Sequence, residues 1–139
     1  MPSKRILVVD DDKSILRLVA TILRRERYAV DTAGGGKEAL AKIELTQYDV
    51  IVLDLMMPEV SGLDVLSRLD LRDPQIKCVV LLSAASPLDI ARKTTPSVFA
   101  ALRKPFDNAA LIEAVRGCLE ATCDTATPTH PIQPVPIAA

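Results

Sequence analysis

Short runs of apolar, largely β-branched residues recur along the chain, and the text between them changes period. Val50 to Leu53 (β3) is too short for a helix and too continuous for a half-exposed strand, so it reads as a strand buried on both faces. Arg5 to Val9 (β1), Tyr28 to Thr32 (β2), Ile76 to Leu82 (β4) and Val98 to Arg103 (β5) read the same way. Between them apolar residues fall at helical spacing. The first helix (α1) carries Ile15, Leu18, Val19, Ile22 and Leu23, and the second (α2) Ala39, Leu40 and Ile43. Gly62 loosens the turn into the third (α3), where Ser61 with Asp64 makes a capping-box-like start and Leu63, Leu66 and Leu69 follow. A fourth (α4) is expected from Ser86 to near Thr94, where Ser86-Pro87 supplies a cap and a first-turn proline. The fifth (α5), capped by Asp107, carries Leu111, Ile112, Val115 and Leu119.

Five strands alternating with five helices predict a parallel α/β sheet with helices on both faces, because crossovers between parallel strands are right-handed. An order of 2-1-3-4-5 would gather the carboxyl ends of β1, β3, β4 and β5 around one crevice. The domain is expected over residues 4–121. Beyond it, residues 122–139 include DTATPTHPIQPVPIAA, with four prolines and no periodicity, which predicts an extended or disordered tail. His130, the only histidine, lies in that tail and is not a candidate for catalysis.

The 139 residues suit one domain, and 49% hydrophobic with 25% charged content is ordinary for a globular protein. A formal net charge of −1 gives no electrostatic case for direct nucleic-acid binding. No apolar stretch approaches the ~18 residues that cross a bilayer, and acids follow the first strand too soon for a secretory signal, so a cytoplasmic protein is expected. Cys78, Cys118 and Cys123 have neither C-x-x-C spacing nor an even count, and are expected as free thiols. Gly34-Gly35-Gly36-Lys37 invites a phosphate-loop reading, but Asp31 stands where the first glycine is needed and Glu38 where a Ser or Thr is needed. The glycines are taken as a flexible turn into α2.

The chemistry lies at the strand ends. Asp10 and Asp11 follow β1, Asp54 follows β3, Ser83 follows β4 and Lys104 follows β5. An aspartate after a strand most often caps a turn. Five such groups converging on one crevice are harder to explain that way. Clustered carboxylates repel one another unless a cation intervenes, and oxygen-only ligands in an open site suit Mg²⁺. A carboxylate can also attack phosphorus while an ammonium and a metal neutralise the transferring group.

The motifs VVDDD (8–12), VLDLMMPEVSG (52–62), LLSA (81–84) and KPF (104–106) resemble those of response-regulator receiver domains of two-component signalling. The likeness spans roughly residues 4–121 and implies a flavodoxin-like, CheY-like fold. It further implies that Asp54 is the phosphoacceptor, that Asp11, Asp54 and the Met56 carbonyl ligate Mg²⁺ directly, and that Asp10 does so through water. Ser83 would be the switch hydroxyl and Lys104 would contact the phosphoryl group, with the Lys104-Pro105 bond cis. The phosphoryl donor would be a sensor histidine kinase or phosphotransfer protein, and output would pass through the α4-β5-α5 face to a downstream protein or a missing output domain. Met56 and Ala85 flank the path of an attacking water in this family, and neither can orient one, so self-dephosphorylation is expected to be slow to moderate.

Two departures bear on output. Ala101 stands where many relatives carry an aromatic residue three before the lysine, and Ser97-Val98 replaces the usual Gly-Ala. Strand alternation places Phe99 on the side of Ala101 but ~7 Å further from the site, so no aromatic toggle is expected and switching would rest on residues 84–95. A pseudo-receiver that only binds partners is the alternative function. A turnover hydrolase is disfavoured because Met56 occupies the position of its second aspartate.

Overall fold

β1 (Arg5–Val9) pairs in parallel with β2 (Ala29–Ala33) on one side and β3 (Val50–Asp54) on the other, so the chain reverses its direction of travel across the sheet at this strand. β4 (Val79–Ser83) and β5 (Val98–Arg103) extend the sheet beyond β3, giving the expected order 2-1-3-4-5. The computed structural model describes residues 4–72, 79–83, 98–123 and 137–138. The expected α4 and the predicted strand start at Ile76 to Cys78 lie outside the described residues.

Alternating side chains of the buried strands divide the core in two. Leu7, Val9, Ile51, Leu53, Val79 and Leu81 face α2 (Gly36–Leu45) and α3 (Gly62–Arg72), where they meet Ala39, Val65, Leu66 and Leu69. Ile6, Val8, Val50, Val52, Val80 and Leu82 face α1 (Lys13–Arg25) and α5 (Asn108–Cys123), against Val19, Leu23, Leu111, Val115 and Cys118. Both faces being covered explains the unbroken apolar runs of the central strands.

Three expectations change. Leu18 is 47% exposed. At ~100° per residue it lies about 100° back from Val19, while Ala20, one step the other way, joins Ile22 and Leu23 in the buried stripe. The second change is a β-bulge: Val98 pairs with Val79 and Ala100 with Val80, leaving Phe99 as the extra residue. The bulge breaks strict alternation, so Ala101 faces the α2-α3 core whereas Phe99 packs with the α1-α5 core. Phe99 is therefore on the opposite side from Ala101, contrary to the period-two expectation. Third, the sheet gains a two-residue strand, β6 (Ile137–Ala138), paired in parallel with Ala101 and Leu102 of β5. An edge strand presents unpaired backbone groups that another extended segment can take up. The rest of the proline-rich stretch lies outside the described residues.

The ring of Phe99 occupies a notch at Gly117 in α5, where an added Cβ would lie 3.1 Å from two ring carbons. Replacing an interior helix glycine by alanine ordinarily stabilises by about 1 kcal/mol. Here Gly117→Ala is expected to give no gain in urea unfolding, and to give that gain only when Phe99→Ala has emptied the notch. A full gain in the presence of Phe99 would show that the notch is not filled.

Candidate functional site

Asp54 ends β3, a strand buried along its whole length, and is itself 3% exposed. Its position follows from the sequence around it. The backbone N–H of Met56 donates to Asp54 Oδ1 at 3.1 Å, and Leu55 N–H donates to the Leu82 carbonyl at 3.2 Å, carrying sheet pairing one residue past the strand. The chain then returns through Pro58 to α3, whose start has the expected reciprocal cap. Ser61 N–H donates to Asp64 Oδ2 at 3.1 Å and Asp64 N–H donates to Ser61 Oγ at 3.3 Å. Gly62 acts through contact, not merely as a loosened turn. A Cβ there would collide with the Asp54 carbonyl and lie 2.7 Å from Leu55 Cα.

The three consecutive acids after β1 separate into three tasks. Asp10 is fully buried, accepting from Asp12 N–H through Oδ1 at 2.9 Å and from Lys104 Nζ through Oδ2 at 2.9 Å. Asp11 is exposed at the rim. Asp12 caps α1, accepting from Ser14 and Ile15 N–H at 2.8 and 3.3 Å. An acid directly before an amphipathic helix is the local sequence signal for this cap.

Lys104 approaches Asp54 Oδ2 at 3.6 Å as well as Asp10. Its backbone N–H donates to the Ser83 carbonyl at 2.7 Å, carrying the β4-β5 pairing one residue past β5. The Lys104-Pro105 bond is cis, as the resemblance implied. Ser83 is buried at the end of β4, next to β3 in the sheet. Carboxylate oxygens of Asp10, Asp11 and Asp54 all lie within 4.8 Å of one another. The structure thus brings together Asp10, Asp11, Asp54, the Met56 backbone and Lys104, with Ser83 on the adjoining strand end.

One ammonium against two buried carboxylates and a third at the rim leaves the site with surplus negative charge. Burial raises the pKa of Asp54 to about 6. The Met56 N–H opposes that rise, the charge of Asp10 adds to it and Lys104 counters it. For Lys104, burial alone would lower the pKa, but the hydrogen bond and charge of Asp10, with Asp54 nearby, hold it above the ordinary lysine value. An all-oxygen donor set with excess charge fits a hard divalent cation such as Mg²⁺.

Residues 6–116 match the family model described as response regulator receiver domain. This chain belongs to the response-regulator receiver family. It is 35% identical over 115 residues to the transcriptional regulatory protein TrcR of Mycobacterium tuberculosis, covering 83% of this chain and 45% of that protein. It is 33% identical over 115 residues to the transcriptional regulatory protein GlrR of Escherichia coli, covering 83% of this chain and 26% of that protein. The receiver therefore spans less than half the length of either relative. Among solved structures, a CheY-like receiver domain protein from Methanospirillum hungatei superposes with a TM-score of 0.80 at 30% identity, covering 88% of this chain and 98% of the other. The response regulator TrrA of Thermotoga maritima, solved in complex with Mg(2+)-BeF, gives 0.75 at 36% identity, covering 84% and 99%.

The raised pKa of Asp54 fixes the sign of a pH effect. Its native value, about 6, exceeds the reference 3.8, so between these values the native state holds the proton more tightly and stability falls as pH rises through this window. The penalty is fully present above about pH 6. In metal-free protein, Asp54→Asn is expected to stabilise by about 1–2 kcal/mol at pH 8, the gain fading towards pH 4. Urea unfolding across that range measures it, and a gain that grew towards pH 4 would contradict the assignment.

Proposed function

We propose that this receiver domain is a phosphorylation switch in which Asp54 accepts a phosphoryl group in a Mg²⁺-dependent reaction. The observation that carries the reading is a buried carboxylate at a strand end with an ammonium 3.6 Å away and two further carboxylates within 4.8 Å. Asp10, Asp11, Asp54 and the Met56 carbonyl would hold the cation, which when bound would neutralise charge on the phosphoryl oxygens. An Asp54 oxygen forms the new bond to phosphorus as the donor's bond to phosphorus breaks. Burial that raises its pKa also makes this carboxylate more basic than a solvated one, while at neutral pH it remains mainly ionised. Lys104 neutralises charge on the incoming group, and the Ser83 hydroxyl supplies a hydrogen bond to it.

The donor is a sensor histidine kinase or phosphotransfer protein, and the recipient of the signal is a downstream protein or an output domain in a longer chain. The names of the relatives, transcriptional regulators more than twice the length of the matched region, support the second form. The receiver itself has no charge imbalance suited to nucleic acid, and no described helix is long and apolar enough to cross a membrane. A cytoplasmic setting follows from the donor class. The chain is not a turnover enzyme on this reading, and the complete set of acids with Lys104 favours the switch over a pseudo-receiver. Output uses the α4-β5-α5 face without an aromatic toggle, since Ala101 and Phe99 face opposite cores. Residues 84–95, expected to carry the switching, lie outside the described residues.

Incubation with acetyl phosphate or phosphoramidate is expected to add one phosphoryl mass, only with a divalent metal present and not in Asp54→Ala. Undiminished labelling of that variant would refute the acceptor, and labelling without metal would refute the mechanism.

Lifetime is a separate matter. Met56 is exposed beside the site, and Ala85 lies outside the described residues. Met56→Asn combined with Ala85→Gln is expected to speed loss of the phosphoryl group several-fold, read by intact mass over time. Unchanged or slower decay would count against the role of these positions.

A further inference from the structure

The glycine run before α2 does not serve the purpose that its composition suggests. No glycine among the described residues has a positive φ, and Gly35, the N-cap of α2, is extended at φ −177°, a conformation open to any residue. Space distinguishes the three. A Cβ at Gly35 would meet nothing within 4 Å, and one at Gly34 would make an ordinary contact with Glu38 at 3.7 Å. At Gly36 it would lie 2.5 Å from the Val60 carbonyl oxygen and 2.6 and 2.7 Å from Val60 Cγ1 and Cβ. The first turn of α2 is pressed against the segment that joins β3 to α3.

That segment is the one that shapes the acidic site. It leaves β3 at Asp54, directs Met56 N–H at the Asp54 carboxylate and closes on itself where Gly62 N–H donates to the Leu55 carbonyl at 3.2 Å. Its near end is held by sheet pairing through Leu55 and its far end by the Ser61-Asp64 cap. Glu59 between them takes a left-handed φ of 64°. Val60, partly buried against the α2-α3 core, is where a neighbouring helix touches the loop. With both ends pinned, a push at Val60 has little outlet except along the loop, towards Met56.

We propose that Gly36 is a positioning residue for the divalent-metal site, letting α2 act as a stop that sets the loop 55–61, and with it the Met56 backbone, through Val60. The inference rests on the metal-site reading given above. It assigns Gly36 no contact with the cation. Its effect passes through the loop.

The test is Mg²⁺ affinity by calorimetry with no phosphoryl donor, alongside thermal unfolding and the amide resonance of Met56 in metal-free protein. Gly35→Ala, the same change one residue earlier in open space, is expected to bind Mg²⁺ as the parent does. Gly36→Ala is expected to bind at least threefold more weakly and to shift the Met56 amide. Val60→Ala, which trims the contact from the loop side and leaves α2 intact, is expected to weaken binding too, and it keeps the test open if Gly36→Ala fails to fold. The double variant Gly36→Ala, Val60→Ala removes only the Cγ1 collision and keeps those with the Val60 carbonyl oxygen and Cβ, so it is expected to bind Mg²⁺ no more tightly than Gly36→Ala. Unchanged Mg²⁺ affinity in Gly36→Ala or Val60→Ala, with only a lower unfolding temperature, would overturn the inference and leave the metal site standing. Absence of saturable Mg²⁺ binding in both the parent and Gly35→Ala would overturn the metal site and the inference with it.

Discussion

The ammonium of Lys104 between Asp10 and Asp54 is the interaction on which the rest of the site depends. Two buried carboxylates with no cation between them repel each other, which drives one of them to take up a proton. A single ammonium 2.9 Å from one and 3.6 Å from the other lets both remain near each other in a place from which water is largely excluded. Charge balance is still incomplete, because Asp11 adds a third acid at the rim. The site is held together by one cation and leaves room in its electrostatics for another.

Geometry makes that arrangement demanding. Neighbouring strands lie about 4.8 Å apart, so β5 stands about 10 Å from β3 and about 14 Å from β1. A lysine extending straight from β5 would not span the larger distance. Side chains from both sides share the distance: Lys104, held beside the end of β4 by its N–H to the Ser83 carbonyl, brings its Nζ to 2.9 Å from Asp10 Oδ2 and 3.6 Å from Asp54 Oδ2. Ser83 thus supports the site through its backbone while its side chain stays buried beside it. The sheet order and the fully apolar strands matter to function because they fix these starting points within a fraction of a strand spacing.

Small residues play a matching part where helices approach the sheet and its loops. Gly62 lets α3 begin against the Asp54 carbonyl, Gly36 lets α2 touch Val60, and Gly117 gives the Phe99 ring a seat on α5. None of the three is needed for backbone rotation, since no described glycine has positive φ. Each removes a Cβ where two elements approach more closely than side chains permit. The β5 bulge has a related effect, turning the aromatic ring away from the face on which Ala101 lies and into the α1-α5 core.

The sequence alone determined the element order, the two-sided burial of the central strands and the identity of the strand-end acids and lysine. Period and residue type are local properties, and four motifs at fixed places carried the family resemblance. The Ser61-Asp64 cap was legible for the same reason, being made within three residues. What only the tertiary structure decided depends on atoms far apart in the chain. The partner of Lys104 is Asp10, 94 residues earlier, ahead of Asp54. The bulge at Phe99 is a mismatch between two strands and has no mark in either one. Gly36 looked like one of three equivalent glycines until Val60, 24 residues on, proved to lie against it alone. Local spacing predicts which face a residue takes on its own element, whereas contact distance is set only when the elements pack.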